Sequence, residues 1–287
     1  MKRLTTSILL ILMAVAVWGQ ETVFQTFKDT RVINSHSVET LKAGRMDIRI
    51  SHRFGDIAGT AGGWQTFYGL ENASDIMIGA EYGFTDNLMM GINRTKGAGP
   101  LKQNVHGFLK FRLITQEYEG SQPFSLAFLA LGSGSTMPKS EIEGVLNFFE
   151  KSAHRFSYHL QVIMARQFSE RFSFQISGGW TYRNIVPSDD QNDLVSVGAA
   201  TRFQLTKSIG IIVDANFPIS ELRTTENGYY PALGVGFEWE TGGGHVFQLN
   251  VTNATGIAET DFIPYTQTNW ADGQYRLGFT ISRLFTL

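Results

Sequence analysis

Apolar and polar side chains alternate with a period of two along most of the chain. In the first such run, Met46, Ile48 and Ile50 share one face, while Asp47 and Arg49 share the other. A period of two is the side-chain spacing of a β-strand. Successive runs of this kind predict twelve strands, at Met46–Phe54, Ile76–Phe84, Leu88–Ile92, Val105–Leu113, Phe124–Leu131, Phe156–Met164, Phe172–Tyr182, Val195–Phe203, Ile209–Phe217, Leu233–Trp239, His245–Val251 and Tyr275–Leu287.

The connections between these runs alternate between short turns and longer loops. The short turns contain Asp, Asn, Ser or Gly, which suit hairpins, and they lie at Thr85–Asn87, Arg166–Glu170, Thr206–Ser208 and Thr241–Gly244. The longer loops lie at about Asp56–Ser74, Thr95–Gln103, Gly132–His154, Asn184–Asn192, Pro218–Gly228 and Ala254–Gly273. The one exception is Thr115–Pro123, which is nine residues long where the alternation calls for a short turn. In an up-and-down sheet, this alternation places all long loops at one rim, as in bacterial outer-membrane barrels.

Charged and aromatic residues indicate which face of the strands is enclosed. On the apolar face Arg283 is the only formally charged residue, and it lies near a strand end, as do His52 and His245. Aromatic residues of that face also gather toward strand ends, as interfacial girdles do. The polar face has Lys110 as its single lysine, whereas water-facing strands favour Lys and Glu. We therefore predict an all-β protein, a twelve-stranded antiparallel up-and-down transmembrane β-barrel over residues 44–287, in preference to a soluble sandwich.

Composition narrows the class of protein further. The formal net charge is −2, which gives no electrostatic basis for binding nucleic acid. The chain has no cysteine, and this excludes disulfides, thiolate metal sites and cysteine nucleophiles. No apolar run reaches the roughly 18 residues of a transmembrane helix. We predict no cofactor and no metal.

The amino end has the features of an export signal. Lys2 and Arg3 precede an apolar run at Ile8–Trp18, and this order is typical of a secretory signal peptide, which we assign to residues 1–19. The predicted location is the outer membrane of a Gram-negative bacterium, with its lipid as one partner. Residues 20–43 lack a clean strand period, and they are predicted to form either a periplasmic leader or a plug inside the barrel.

Three short motifs carry a resemblance to a known family. They are Ser51-His52-Arg53-Phe54-Gly55, then Tyr68-Gly69-Leu70-Glu71-Asn72-Ala73-Ser74-Asp75, and Gly244-His245-Val246-Phe247-Gln248-Leu249. With them the mature chain resembles a family of uncharacterised Gram-negative outer-membrane β-barrels, classified as a domain of unknown function. The resemblance implies the compartment and the barrel, and it implies no activity.

Charged residues on the polar face are the candidate functional residues. The lumen or pore candidates are Arg49, Arg53, Asp75, Glu81, Lys110, Arg112, Arg202, Asp214 and Arg276, and the same face also carries Arg45, Asp47, Arg155, Arg183 and Glu238. Basic residues outnumber acidic ones there, and a positive lumen attracts anions. The alternative, which we favour, is an internal network of salt bridges that stiffens the wall.

Two loops have patterns of their own. Within Gly132–His154, Ser140 and Glu143 fit a capping box ahead of Ile142, Leu146 and Phe149 at helical spacing, which predicts a short helix that either constricts the lumen or covers the rim. The loop Gly59–Ser74 carries Trp64, Phe67, Tyr68 and Leu70. It is expected to fold into the pore, to bind a partner, or to pack against neighbouring loops.

The leading functional hypothesis is passive or weakly selective passage of small hydrophilic solutes. The alternatives are a plugged barrel with a structural or partner-binding role and, less favoured, a lipid-modifying enzyme. Lipid hydrolysis needs a Ser–His pair at the lipid face, and His52 and His245 lack a serine two residues away on their own face. The acidic run Asp189–Asp193 offers oxygen ligands for Ca²⁺, but it lacks EF-hand spacing and more often indicates a solvated loop.

Overall fold

The computed structural model describes residues 22–23 and 25–287, so the predicted signal peptide lies outside the described residues. Two short strands, β1 (Arg31–Val32) and β2 (Ser35–His36), form a small hairpin. The next twelve strands form one closed antiparallel barrel, in which each strand pairs with its chain neighbours and β14 pairs with β3. These strands are β3 (Arg45–Phe54), β4 (Ala73–Thr85), β5 (Leu88–Lys96), β6 (Gln103–Ile114), β7 (Ser125–Ser135), β8 (Phe156–Ser169), β9 (Phe172–Arg183), β10 (Asp193–Gln204), β11 (Ile209–Ile219), β12 (Ala232–Thr241), β13 (His245–Thr252) and β14 (Arg276–Thr286).

The predicted twelve-stranded up-and-down barrel is confirmed, and so is the orientation of its strands. The apolar residues Ile50, Phe174 and Val235 are exposed on the outside, at 41%, 38% and 44% of their surface. The polar residues Asp47 and Arg49, which alternate with apolar ones on β3, are buried inside. Closure leaves no strand edge unpaired, which a membrane requires.

The connections sort by length onto the two ends of the barrel. The end with residues 86–87, 115–124, 170–171, 205–208 and 242–244 is called the turn rim. The end with residues 55–72, 97–102, 136–155, 184–192, 220–231 and 253–275 is called the loop rim. Four of the five turn-rim connections have two to four residues and all six at the loop rim have six or more, as the sequence predicts; the exception is 115–124, ten residues long at the turn rim.

Residues 25–41, which we call the plug, lie inside the barrel. The chain leaves the turn rim at Val23, whose N–H donates to the Gln116 carbonyl (2.8 Å), and returns there at Ala43, whose N–H donates to Asp86 (3.0 Å). Between these points the chain turns back at the β1–β2 hairpin, where Ile33 has a φ of 50°. The plug is therefore a hairpin that enters and leaves by the same rim.

A second element enters the barrel from the opposite end. The connection 253–275 carries the helix α1 (Glu259–Tyr265), and every residue of α1 except Tyr265 is buried. Phe262 and Ile263 belong to a small apolar cluster with Leu194, Ala232 and Ala254. Among the described residues, no helix has both the length and the apolar character needed to cross a membrane.

The loops Gly132–His154 and Gly59–Ser74 do not adopt all of the conformations that the sequence predicts. The prediction of a short helix within Gly132–His154 is wrong. The structure has two short 3-10 turns in this connection instead, at Leu146–Phe148 and Ser152–Arg155. Gly144 (φ 84°) and Phe149 (φ 45°) adopt left-handed conformations that interrupt an α-helix.

The loop Gly59–Ser74 does not fold into the pore. Trp64 is 73% exposed, and the start of the same connection lies against residues 273–275, through the N–H of Ile57 donating to the Tyr275 carbonyl at 2.8 Å. This arrangement agrees with the expectation of packing against a neighbouring loop.

Candidate functional site

The centre of the lumen holds a charge cluster in which the plug meets the wall. Arg49 is fully buried, and its Nη1 donates to Asp29 Oδ2 of the plug (2.9 Å). Its Nη2 also donates to Asp47 on the same strand (2.8 Å), and its Nε lies 3.7 Å from Glu81 on β4. One guanidinium thus compensates three buried carboxylates, because its fork of donors reaches several acceptors at once.

Other charged wall residues hold the plug by its backbone. Lys110 Nζ donates to the carbonyls of Thr30 (3.0 Å) and Ser37 (3.1 Å). Asp214 accepts from the backbone N–H groups of Asn34 (2.9 Å) and Ser35 (3.0 Å). Lys110 and Asp214 therefore bind main-chain groups of the hairpin, and of these the Thr30 carbonyl also accepts from the N–H of Ser37 within the plug (2.9 Å).

The remaining acidic and basic candidates divide between ion pairs and loop anchors. Arg112 pairs with Glu39 of the plug at 3.3 Å. Arg202 pairs with Glu238 across β10 and β12. Asp75 accepts from the N–H of Ile257 (3.0 Å), and this holds the connection that carries α1.

Arg53 and Arg276 have no ion pair in the described part of the chain. Arg53 Nη2 donates to Asn34 Oδ1 of the plug (2.5 Å), and its Nη1 donates to the Ala254 carbonyl (3.3 Å). Arg276 is 4% exposed, and its Nε and Nη1 have no hydrogen-bond partner among the described residues. Neither guanidinium is neutralised by an ion pair, and Lys110, which donates to backbone carbonyls, is a third lumen cation without one among the described residues.

The other basic residues of the predicted polar face lie nearer the rims. Arg45 is exposed at the turn rim, and Arg155 donates to the carbonyls of Ser135 and Met137. Arg183 pairs with Asp190 in a long loop at 3.0 Å. Asp190 belongs to the acidic run considered for Ca²⁺, and two arginines, Arg183 and Arg223, neutralise it in the structure.

Part of the lumen is apolar, which the strand pattern does not predict. Phe27, Val38 and Leu41 of the plug belong to a buried cluster that also contains, on the wall, Met89, Phe108, Leu129, Ile163 and Ile212. These wall residues lie on β5 to β8 and β11, where Lys110 and Asp214 also bind the plug, so apolar and polar contacts are interspersed around it. Its withdrawal would expose apolar surface to water, and this favours the filled state.

The plug and α1 meet inside the barrel. Glu259 lies 3.7 Å from Arg31 Nη1 and 3.9 Å from His36 Nε2. Burial raises the pKa of the Glu259 carboxyl, and the charge of Arg31 opposes that shift in part. Burial also lowers the pKa of His36, and the nearby charges of Arg31 and Lys110 lower it further. Burial raises the pKa of Asp261, and so do the neighbouring carboxylates Asp75 and Glu259.

Several anchoring residues escaped the sequence analysis because they are uncharged or lie outside the strands. Gln175 binds the plug twice, accepting from the N–H of Val38 (2.9 Å) and donating to the His36 carbonyl (2.8 Å). Gln248 donates to the Arg31 carbonyl at 2.9 Å. Asn34 and Glu259 were also missed. Asn34 and Glu259 are polar residues in segments that have no strand period, and the sequence gives no other indication of their role.

The histidines considered for lipid hydrolysis pack against aromatic rings. His52 lies between Phe54 and Phe279, with ring centroids at 4.3 and 5.6 Å, and His245 stacks on Phe247 at 5.9 Å. The Nδ1 atom of each has no hydrogen-bond partner among the described residues. Neither position shows a Ser–His pair.

A closed barrel with an apolar exterior and a polar, filled lumen is a membrane β-barrel. The chain belongs to the family described as "Membrane bound beta barrel domain (DUF5777)", whose model matches residues 27–285. This confirms the resemblance to an uncharacterised barrel family. No curated protein matches the sequence.

Solved structures of outer-membrane proteins are similar in fold. The NanC porin has a TM-score of 0.50 and 7% identity, covering 84% of this chain and 99% of its own. The KdgM porin has a TM-score of 0.49 and 6% identity over 85% of this chain and 99% of its own. Omp33 of Acinetobacter baumannii has a TM-score of 0.43 and 8% identity over 85% and 98%. At this identity, the likeness to NanC shows a shared fold and nothing more.

Proposed function

We propose that the protein is a channel for small hydrophilic solutes in the outer membrane of a Gram-negative bacterium, and that the plug closes it at rest. The observation that carries the proposal is that the plug is a separate hairpin with both ends at the turn rim. A hairpin of this kind leaves the lumen without threading through the barrel. The fold shared with NanC, which is named a porin, supports the assignment.

The contacts of the plug fit a reversible closure. Lys110, Asp214 and Gln175 bind its backbone and Arg49 and Arg112 bind its carboxylates, so every polar anchor is non-covalent. Once the plug has left, these same side chains line a polar passage. This function is passive transport and needs no catalytic group.

A permanently plugged barrel with a structural or partner-binding role is the second candidate. The apolar contacts of Phe27, Val38 and Leu41 with the wall favour it, because they stabilise the filled state. The two candidates differ in one respect: a channel must release the plug, and a structural barrel must keep it.

A disulfide lock tests the proposal directly. The chain has no native cysteine, so the pair Ser35→Cys and Asn216→Cys introduces the only thiols. These side chains are in contact, with Asn216 Nδ2 2.9 Å from Ser35 Oγ. The oxidised double variant, its reduced form and the two single-cysteine variants are compared by conductance in planar bilayers.

We expect stepwise conductance from the wild-type protein, silence from the oxidised double variant, and recovery on reduction. The single-cysteine variants control for the substitutions and should conduct in both redox conditions. Conductance that persists in the locked protein would show that solutes pass without displacement of the plug. Silence of the wild-type protein in both redox conditions, together with conductance only in a variant that lacks residues 25–41, would favour the permanently plugged barrel. Silence of that variant as well would overturn the channel.

A further inference from the structure

A cavity of about 710 Å³, which we call the vestibule, lies at the loop rim. It is lined by residues from the connections 97–102, 136–155, 184–192, 220–231 and 253–275, five of the six connections at that rim. Tyr265, the last residue of α1, forms part of its wall. The volume lies within the range of small-molecule sites, and nothing in the charge network of the plug uses it.

Two arginines compensate Asp190 at the vestibule. Asp190 accepts from Arg223 Nη2 (2.7 Å) and from Arg183 Nη1 (3.0 Å). Burial raises the pKa of the Asp190 carboxyl, but the hydrogen bonds and charges of Arg223 and Arg183 outweigh it, and the net pKa is lowered. Asp189 also lines the cavity, where it is exposed and has no ion pair among the described residues. Because Asp190 is already paired and water screens the charge of Asp189, the lining gives little electrostatic advantage to an ionic ligand.

Two tyrosines supply flat apolar surfaces. The guanidinium of Arg223 lies 4.3 Å from the centroid of the Tyr229 ring, and that of Arg183 lies 5.1 Å from the centroid of the Tyr265 ring. Arg223 Nε also donates to the Pro264 carbonyl of α1 (2.8 Å). These contacts fix the rings in place before any ligand arrives, which lowers the entropic cost of binding.

Amide side chains complete the lining. Asn227 and Gln267 lie at the cavity and are exposed to solvent. Asn227 Nδ2 donates to the Leu222 carbonyl (3.3 Å), which holds the amide in place and leaves its Oδ1 to accept from a ligand. Aromatic rings bind apolar C–H faces, and amides and carboxylates bind hydroxyl groups. The vestibule therefore suits a molecule that has both C–H faces and hydroxyl groups. Sugars have both, whereas simple ions and purely apolar molecules do not.

We infer that the vestibule is a binding site for an uncharged saccharide, held between Tyr229 and Tyr265 and hydrogen-bonded by Asn227 and Gln267. This inference rests on the proposed function, because it names the class of solute that binds at the loop rim before passage through the channel. The site itself is present in the closed structure, so binding is measurable without conduction. The contact of Arg223 with Pro264 places α1 directly beneath the bound sugar.

The test is saturation-transfer NMR with the full-length protein in lauryldimethylamine oxide, a detergent without a sugar headgroup. The probes are maltotriose, cellotriose and N,N′-diacetylchitobiose, each at millimolar concentrations, with glucuronate and glucosamine as charged counterparts. The variants are Tyr229→Ala and the double variant Asn227→Ala and Gln267→Ala. Tyr118→Ala is the matched control, because Tyr118 is 58% exposed at the turn rim.

We expect saturable transfer to at least one neutral sugar, at least tenfold weaker binding in both vestibule variants, and no change in Tyr118→Ala. Retention of wild-type strand content by circular dichroism confirms that each variant folds. The inference is overturned if no neutral sugar binds, if the charged sugars bind more tightly, or if the vestibule variants bind like wild type. Sugar binding by a protein that never conducts would refute the channel and leave the vestibule site standing.

Discussion

Arg31, near the tip of the plug, lies 3.7 Å from Glu259 at the start of α1. The two residues come from opposite ends of the chain, and their elements enter the barrel from opposite rims. Both are buried, and neither Glu259 oxygen has a hydrogen-bond partner among the described residues. The contact therefore involves no hydrogen bond, and it links the plug to the loop that covers the other end of the lumen.

The first prediction concerns pH. Because burial raises the pKa of Glu259 above its usual 4.5, the neutral carboxyl is favoured while α1 is seated. The stabilisation from this group is full below pH 4.5 and is lost as the pH rises through the raised value. We expect the open probability in planar bilayers to rise with pH in that window. Glu259→Gln, which stays neutral, should have a flatter profile.

The groups that face Glu259 set the limits of this effect. The positive charges of Arg31, Lys110 and Arg53 oppose the upward shift of the Glu259 pKa. His36 acts in the other sense: its pKa is lowered, so the stabilisation it gives the seated plug is present above pH 6.5 and is lost only as the pH falls through the lowered value. Glu226→Gln, an exposed loop carboxyl, is the control, and an equal flattening there would contradict the assignment to Glu259.

The second prediction concerns the charge cluster at Arg49. In Arg49→Gln the carboxylates of Asp29, Asp47 and Glu81 lose their shared cation, which typically costs about 3–5 kcal/mol for a buried pair. Because Asp29 belongs to the plug, we expect faster hydrogen exchange in residues 25–41 and more frequent opening. Adding Asp29→Asn removes one of the repelling charges and should restore part of the loss. A double variant no better than Arg49→Gln would show that Asp29 gains nothing from this contact.

The strand pattern predicts the barrel well because every membrane strand obeys the same physical rule. Each lipid-facing position must be apolar and each backbone group must be paired, so period and connection length together define the fold. The outward Ile50 and the inward Arg49 follow this rule without reference to any distant residue. The plug obeys no such rule, since beyond the short β1–β2 pairing its backbone bonds to wall side chains such as Lys110 and Asp214.

The candidate site was predictable only in part for the same reason. Lys110 and Asp214 are recognisable as lumen charges, but their partners are backbone carbonyls and N–H groups, which every residue carries. The excess of positive charge on the strands is real, yet Asp29, Glu39 and Glu259 come from segments whose path the sequence leaves open. The ion pairs of Arg49, Arg112 and Arg202 fit the interpretation of an internal network, and the anion-attracting lumen stays a prediction.

The third prediction separates a backbone anchor from a general effect of charge. Lys110→Met leaves the Ser37 carbonyl without its donor, and an unsatisfied buried group costs on the order of 1–3 kcal/mol; the Thr30 carbonyl loses one donor and keeps the N–H of Ser37. We expect residues 30–37 to exchange amide hydrogens faster, and oxidation of a cysteine introduced at Ser35 to accelerate. The control is Lys207→Met, which removes the same charge from an exposed turn. Equal protection of residues 30–37 in the two variants would rule out the anchoring role.

The last prediction concerns ion selectivity in the open state. Arg53 and Arg276 lack ion pairs among the described residues, whereas Arg202 is paired with Glu238. Replacing both unpaired arginines with Gln lowers the positive potential of the passage, and we expect the reversal potential in a KCl gradient to shift away from anion preference. The matched variant Arg202→Gln with Glu238→Gln alters two lumen residues without changing net charge and should leave the reversal potential unchanged. An equal shift in the two double variants would mean that loss of packing, rather than charge, determines which ions pass, and the uncompensated guanidiniums would then have no role in selectivity.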